Sequence, residues 1–283
     1  MTVLITGARG RIARALTGLL HDAGHDVRAG SRDPATLDLP PGVPAVPLSL
    51  ADPAHFGPAL DGVTSVFLYA EPSHIEEFGA AAQAAGVEHV VLLSSSSVTP
   101  EPAAEQSPLG RHHAVVEEAL AAAGPALTVL RPGSFATNAL YWARSIAARG
   151  AVRLPVPEAH TDPVHEADLA EAAFAVLTRD DLRGGVHHLT GPESLSFTEQ
   201  LAVLARASGR PIRAEAIGHA EWKAEAGGYM PEEYADALLA FWRERDGVPV
   251  PVTGEVARLT GRSPRPFATW AADHASAFRP AGA

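Results

Sequence analysis

The sequence predicts an α/β fold: a doubly wound parallel sheet with a smaller C-terminal lobe laid over one edge. Three observations carry this. Apolar strand-like runs alternate with helical segments through the first two-thirds of the chain. A glycine-bearing turn at residues 7–10 follows the first run and opens the first helix. After Arg131 the alternation gives way to shorter, mixed segments.

Taken in order, strands are expected at residues 3–6, 26–29, 43–48, 65–69, 87–93 and 126–130. Helices with apolar residues at helical spacing are expected between them, at 11–23, 53–60, 74–85 and 109–123. Short turns such as Ala23-Gly24-His25 and Ala85-Gly86 separate them. Further on, the pattern gives a helix over 138–148, a strand over 152–156 and a helix starting near Asp168, which reads as its N-cap. A strand over 186–189, a helix over 198–207 and a C-terminal helix over 267–278 complete the expectation. The segment from Met230 to Trp242 reads either as lobe core or as a lid over the substrate.

Composition bounds the chemistry. With 46% hydrophobic and 19% charged residues over 283 positions, a sizeable core is within reach and wholesale disorder is excluded. The absence of cysteine removes disulfides, thiolate metal sites and a cysteine nucleophile together. A net charge of −11 with no basic run argues against nucleic acid as a partner. No apolar stretch approaches the roughly 18 residues of a membrane span, and the N-terminal residues lack a secretion-signal pattern, so a soluble cytoplasmic protein is expected. The pairs His112-His113 and His187-His188 have no carboxylates at ligand spacing, so no metal site is expected.

The turn Thr6-Gly7-Ala8-Arg9-Gly10-Arg11-Ile12-Ala13 has the makings of a dinucleotide site. Glycines let the chain turn tightly and let a pyrophosphate approach backbone N–H groups at a helix N-terminus, and Ala13 is small enough for close helix–strand packing. Gly7, Arg9, Gly10, Arg11 and Ile12 are therefore expected to contact cofactor. The second strand ends Gly30-Ser31-Arg32, with Asp33 one residue later. An acidic residue at this strand end selects NAD(H), and an arginine selects the 2′-phosphate of NADP(H). Arg32, seconded by Arg9 and neighboured by Ser31, points to NADP(H). Tyr69 and Ala70, ending the fourth strand, reach the same edge. On this basis residues 1–135 form the NADP(H)-binding core and 136–283 mainly the substrate lobe, with some segments returning to the core.

With these residues in hand, the chain resembles the NmrA-like branch of the atypical short-chain dehydrogenases/reductases, almost end to end. The carrying pieces are the glycine turn, Gly24-His25-Asp26-Val27-Arg28, Ser31-Arg32-Asp33-Pro34, Leu130-Arg131-Pro132-Gly133-Ser134-Phe135 with Asn138, Asp162-Pro163-Val164-His165 before Asp168, Leu189-Thr190-Gly191-Pro192-Glu193, and Leu259-Thr260-Gly261-Arg262-Ser263-Pro264-Arg265. The resemblance implies a Rossmann domain and bound NADP(H), with further contacts at Ser94, His113, Pro132, Ser134 and Phe135. It also implies either reduction of quinones, azo compounds or carbonyls, or a redox-sensing role.

Short-chain reductases typically pair a tyrosine with a lysine four residues later on the helix after the serine-bearing strand. The lysine lowers the tyrosine pKa, and the tyrosine protonates the carbonyl oxygen. Here the strand ends in Ser94-Ser95-Ser96-Ser97 as expected, but Leu109 stands at the tyrosine position and His113 at the lysine position. Lys223 is the only lysine in the chain, so no realignment restores the pair. Three ways round this exist. A quinone needs little enzymic acid, a substrate phenol can supply the proton, or Ser96, Tyr141, His113 or Tyr69 takes the role. Each has a plainer reading. The serines satisfy a strand end, His113 and Glu117 form an exposed helical pair, His112 is surface, and Tyr141 and Trp142 are core.

Two functions follow. The first is an NADPH-dependent oxidoreductase delivering hydride to an apolar cyclic or aromatic carbonyl, quinone or enone without the usual pair. The alternative is a non-catalytic NADP(H)-binding redox sensor. A redox-neutral isomerase is a third, weaker reading. The sequence does not fix the oligomeric state.

Overall fold

The computed structural model describes residues 1–279. The first half runs β1 (Thr2–Ile5), α1 (Arg11–Asp22), β2 (Asp26–Ser31), β3 (Ala45–Pro47), α2 (Phe56–Leu60), β4 (Ser65–Tyr69), α3 (Ile75–Ala84), β5 (His89–Leu93), α4 (Pro108–Ala122) and β6 (Ala126–Pro132). The second half runs α5 (Ala143–Arg149), β7 (Ala151–Leu154), β8 (His160–Thr161), α6 (Glu166–Thr178), β9 (Gly185–Leu189), β10 (Leu195–Ser196), α7 (Phe197–Ser208), β11 (Arg213–Ala216), α8 (His219–Ala226), α9 (Glu232–Arg243), α10 (Glu255–Thr260) and α11 (Phe267–Asp273).

Seven parallel strands form one sheet in the order β3-β2-β1-β4-β5-β6-β9. The order reverses between β1 and β4, and in such sheets the crevice beyond the carboxyl ends of the strands at this point receives the ligand. Buried Val3, Ile5, Leu16, Leu20 and Val176 pack α1 and α6 on one face, with α10 behind. Phe56, Phe78, Leu92, Val116 and Leu120 pack α2, α3 and α4 on the other. Fully burying side chains of this size contributes about 1.5–3 kcal/mol each, which is why the continuous apolar runs of β4 and β5 sit in the middle of the sheet. The smaller lobe has its own core of Ile146, Leu154, Leu204, Phe267 and Trp270, and α8 and α9 join through Trp222, Ala235 and Leu239. Among the described residues, no helix is long and apolar enough to cross a membrane.

Several boundaries differ from expectation for local reasons. The edge strand β3 shrinks to three residues, flanked by Pro44 and ended by Pro47, which lack the N–H a ladder needs. The helix expected over 138–148 begins as a 3-10 turn at Ala136–Trp142 before α5, which stops at Gly150 with φ +64°. The C-terminal helix breaks at His274 between α11 and a 3-10 turn at Ala275–Phe278. Asp168 does not cap its helix. The helix starts at Glu166, and the ring of His165 accepts from the Ala167 N–H at 3.1 Å. Asp168 lies in the first turn at 1% exposure and binds Arg265, accepting from its backbone N–H at 2.7 Å and from its guanidinium.

Candidate active site

The carboxyl edge of the sheet gathers the segments singled out in the sequence. After β1, Gly7 adopts φ +59°, and a Cβ there would stand 2.8 Å from the Tyr69 ring, so both conformation and space require glycine. The Gly10 N–H donates to Gly7 O at 2.8 Å, and the Ala8 N–H to Gly30 O at 3.0 Å, closing the turn. The 12-residue α1 then begins with no side-chain cap and no acidic residue in its first turn. Its orphan N–H groups and positive dipole end are left for an anion. Arg9, Arg11 and Arg32 are exposed around it, whereas Ile12 is partly buried and Ser31 buried. The Ser31 hydroxyl accepts from the Asp33 N–H at 3.2 Å. Asp33 itself makes no side-chain cap, so it does not act as a turn cap through its carboxyl.

Tyr69 ends β4 at 37% exposure, and its N–H donates to the Thr6 hydroxyl at 3.1 Å. Burial raises its pKa, followed by Glu71, with Arg32 opposing, which keeps it a neutral phenol. Ala70 accepts from the His112 ring at 3.0 Å, tying α4 to this loop.

The face expected to carry acid–base chemistry is arranged otherwise. Leu109 is buried at the start of α4. His113 is partly buried, its Nδ1 is sealed from solvent without a partner, and burial, then His112, pulls its pKa down to about 4. It is therefore a neutral imidazole with an unused ring nitrogen, and not one member of an exposed pair. Glu117 takes Arg131 instead, with Nε to Oε1 at 3.0 Å, and accepts from the Ser94 hydroxyl. Of the other serines, Ser95 accepts from the Ser97 N–H, and Ser96 is exposed with its N–H donating to Pro132 O at 2.9 Å. Tyr141 is 84% exposed and not core, whereas Trp142 meets Phe197 edge-on at 5.6 Å. The Tyr141 hydroxyl is near enough to Tyr234 of α9 to raise the latter's pKa, after burial. The helix α9 packs on α4, where Glu233 lies 3.7 Å from Arg111. Lys223 is held by Glu232 at 3.0 Å and Asp236 at 2.6 Å on α9.

At the end of β6, Pro132 is buried, and just beyond it Ser134 and Phe135 are partly so. Phe135 bridges to Val164. The Ser134 N–H donates to Asp162 Oδ1 at 2.9 Å. Asp162 opens one of the motifs that carry the family resemblance, but the sequence reading gave it no role; the contact joins residues 28 apart in sequence. The residues present fit a dinucleotide: an uncapped helix N-terminus behind glycines, flanking guanidiniums, and a sealed imidazole nitrogen without a partner on the helix facing the cofactor edge.

Comparison with known proteins agrees. A family model described as NAD(P)H-binding matches residues 7–180. The chain is 38% identical to the (4-alkanoyl-5-oxo-2,5-dihydrofuran-3-yl)methyl phosphate reductase of Streptomyces griseus, covering 98% of this chain and 99% of that protein. It is 32% identical to the NAD(P)H azoreductase of Xenophilus azovorans, covering 98% and 99%. In fold it resembles the NADPH-dependent quinone oxidoreductase of Escherichia coli solved with NADPH, with a TM-score of 0.80 at 22% identity over 96% of this chain and 99% of that one.

Proposed function

Because the chain belongs to the NAD(P)H-binding family, in its NmrA-like reductase branch, and is an NAD(P)H-dependent oxidoreductase, we propose that it uses NADPH to reduce apolar cyclic or aromatic acceptors in which added negative charge is delocalised: quinones, enones and ketones with a neighbouring phenol. The observation that carries this is α4, which offers Leu109 and a neutral His113 where proton transfer to an isolated alkoxide would need an acid pair. Bound NADPH supplies a hydride. The acceptors named for the two relatives, an acyl-substituted dihydrofuranone bearing a methyl phosphate and azo compounds, are conjugated systems that spread the incoming charge, although the first also carries an anionic group. They need positioning and water exclusion more than a strong enzymic acid.

In this reading the glycine turn and the start of α1 hold the pyrophosphate, and Arg32 with Arg9 holds the 2′-phosphate. His113, uncharged, offers its unsealed ring nitrogen, Nε2, to the nicotinamide half in place of lysine. Ser94, fixed by Glu117, holds the floor of the site, while Ser96 and the phenols of Tyr69 and Tyr141 are hydroxyls able to orient an acceptor oxygen. Helix α9, through Tyr234, closes the substrate side. The test is NADPH oxidation against a panel of quinones, enones and aryl ketones, repeated with NADH. Turnover of conjugated acceptors with preference for NADPH supports the reading; turnover with none of them refutes it.

A further inference from the structure

Segment 132–135 is zipped to residues 162–164 by backbone bonds: Val164 N–H to Ser134 O at 2.8 Å and Ala136 N–H to Val164 O at 2.9 Å. Among the described residues, one side chain enters this zipper through a hydrogen bond, that of Asp162. Its carboxyl lies directly on Gly133, where a Cβ would collide with Oδ2. One oxygen, Oδ1, accepts from the Ser134 N–H, while Oδ2 has no hydrogen-bond partner among the described residues. The Asp162 backbone is held as well, its carbonyl accepting from the Gly191 N–H at 3.1 Å. A carboxyl is thus fixed against the segment that adjoins Ser96, whose N–H donates to Pro132 O at 2.9 Å and whose hydroxyl is proposed to face the acceptor.

We infer that Asp162 is a positioning residue of the cofactor site whose protonation state sets the preference between reduced and oxidised cofactor. The reduced nicotinamide ring is uncharged and the oxidised ring carries a positive charge. A neutral Asp162 holds the segment without favouring either form. An ionised Asp162 holds the same segment and adds a negative charge beside it, which favours the oxidised ring. The switch falls in a useful range because burial pushes the carboxyl up to about 6, against the Ser134 N–H, which lowers it, and the weaker field of Arg245 just past α9. Arg245 is the charged side chain acting on this carboxyl; the neighbouring segments 132–135 and 190–191 contribute backbone groups. Coupling is reciprocal, so oxidised cofactor must in turn favour the ionised carboxyl.

The inference rests on the cofactor reading above, and the experiment separates the two. Dissociation constants of NADPH and NADP⁺ are measured by titration from about pH 5 to about pH 7.5, for the wild type and Asp162→Asn. The ratio of the two constants cancels ionisations the two forms share, including that of the 2′-phosphate. The expected result is a shift in favour of NADP⁺ on the order of fivefold across this range in the wild type, and a flat ratio in Asp162→Asn, whose amide oxygen still accepts from Ser134. A flat wild-type ratio, or an equal shift in the variant, overturns the inference. Binding of neither form at any pH would overturn the cofactor reading itself. Should the variant not fold, calorimetry of the wild type near pH 6 in buffers of different ionisation enthalpy decides. NADP⁺ must release more protons than NADPH, and equal release overturns the inference.

Discussion

Arg32 and Arg9 are exposed, and among the described residues neither spends its guanidinium on a carboxylate, which is the condition for a phosphate clamp. Charge-assisted bonds of this kind contribute about 1.5–3 kcal/mol. Arg32→Ala should therefore raise the Michaelis constant for NADPH by roughly tenfold or more, and leave that for NADH within about twofold. Steady-state kinetics with both nucleotides check this. His113 carries the other residue-level expectation. Held near 4, it is neutral throughout the neutral range, so its charge contributes no limb to the pH–rate profile between about pH 5 and pH 8. His113→Ala should weaken NADPH binding about five- to tenfold, read by fluorescence titration, because one hydrogen bond to the nucleotide is lost. Unchanged affinity would remove His113 from the site.

At the scale of elements, local pattern carried a long way. The alternating runs that became β4 and β5, the glycine turn and α1 were legible because each rests on short-range rules: apolar continuity, a positive φ at Gly7, an amphipathic stripe through Leu16 and Leu20. What local pattern did not reveal depends on distant partners. Asp168 looked like a cap because its sequence neighbourhood resembles a helix start, yet its partner Arg265 is 97 residues away. Glu117 looked like a helical mate for His113, but β6 brings Arg131 under it. Asp162 stood in a recognised motif, but its contact became legible only when the fold laid it on Gly133. The Glu117–Arg131 pair, with side chains 11% and 15% exposed, joins α4 to β6 beneath the serine run. Removing one partner strands a mostly buried charge, so Glu117→Ala should cost about 3 kcal/mol in urea unfolding, and it should also loosen Ser94. A loss under about 0.5 kcal/mol would mean that the pair is merely a surface contact.

For the whole molecule, acid should reveal the buried histidines. His89, bonded to the Thr128 hydroxyl at 2.8 Å, is pulled down to about 4 chiefly by burial, as is His113. The unfolded chain protonates such rings near their ordinary 6.5, so below that it binds more protons than the native state. Their stabilisation is complete above that value and is lost as pH falls toward about 4. Asp162, raised to about 6 from 3.8, works the other way: its contribution is present below 3.8 and lost as pH rises through about 6. Two groups outweigh one, so stability should decline on the acid side, and His89→Gln should flatten the slope by up to about 1.4 kcal/mol per pH unit.

The glycine turn and its exposed arginines lie at the same sheet edge as a helix that has no tyrosine or lysine. The most direct measurement compares kcat/KM, at saturating NADPH, for a quinone, an enone and two aryl ketones that differ only in an ortho hydroxyl. The account predicts rapid turnover of the quinone or enone and of the hydroxyl-bearing ketone, with the plain ketone slower by about two orders of magnitude, the usual contribution of a positioned acid. Equal rates for the two ketones would contradict it, because an enzymic proton donor would then have to stand in the site.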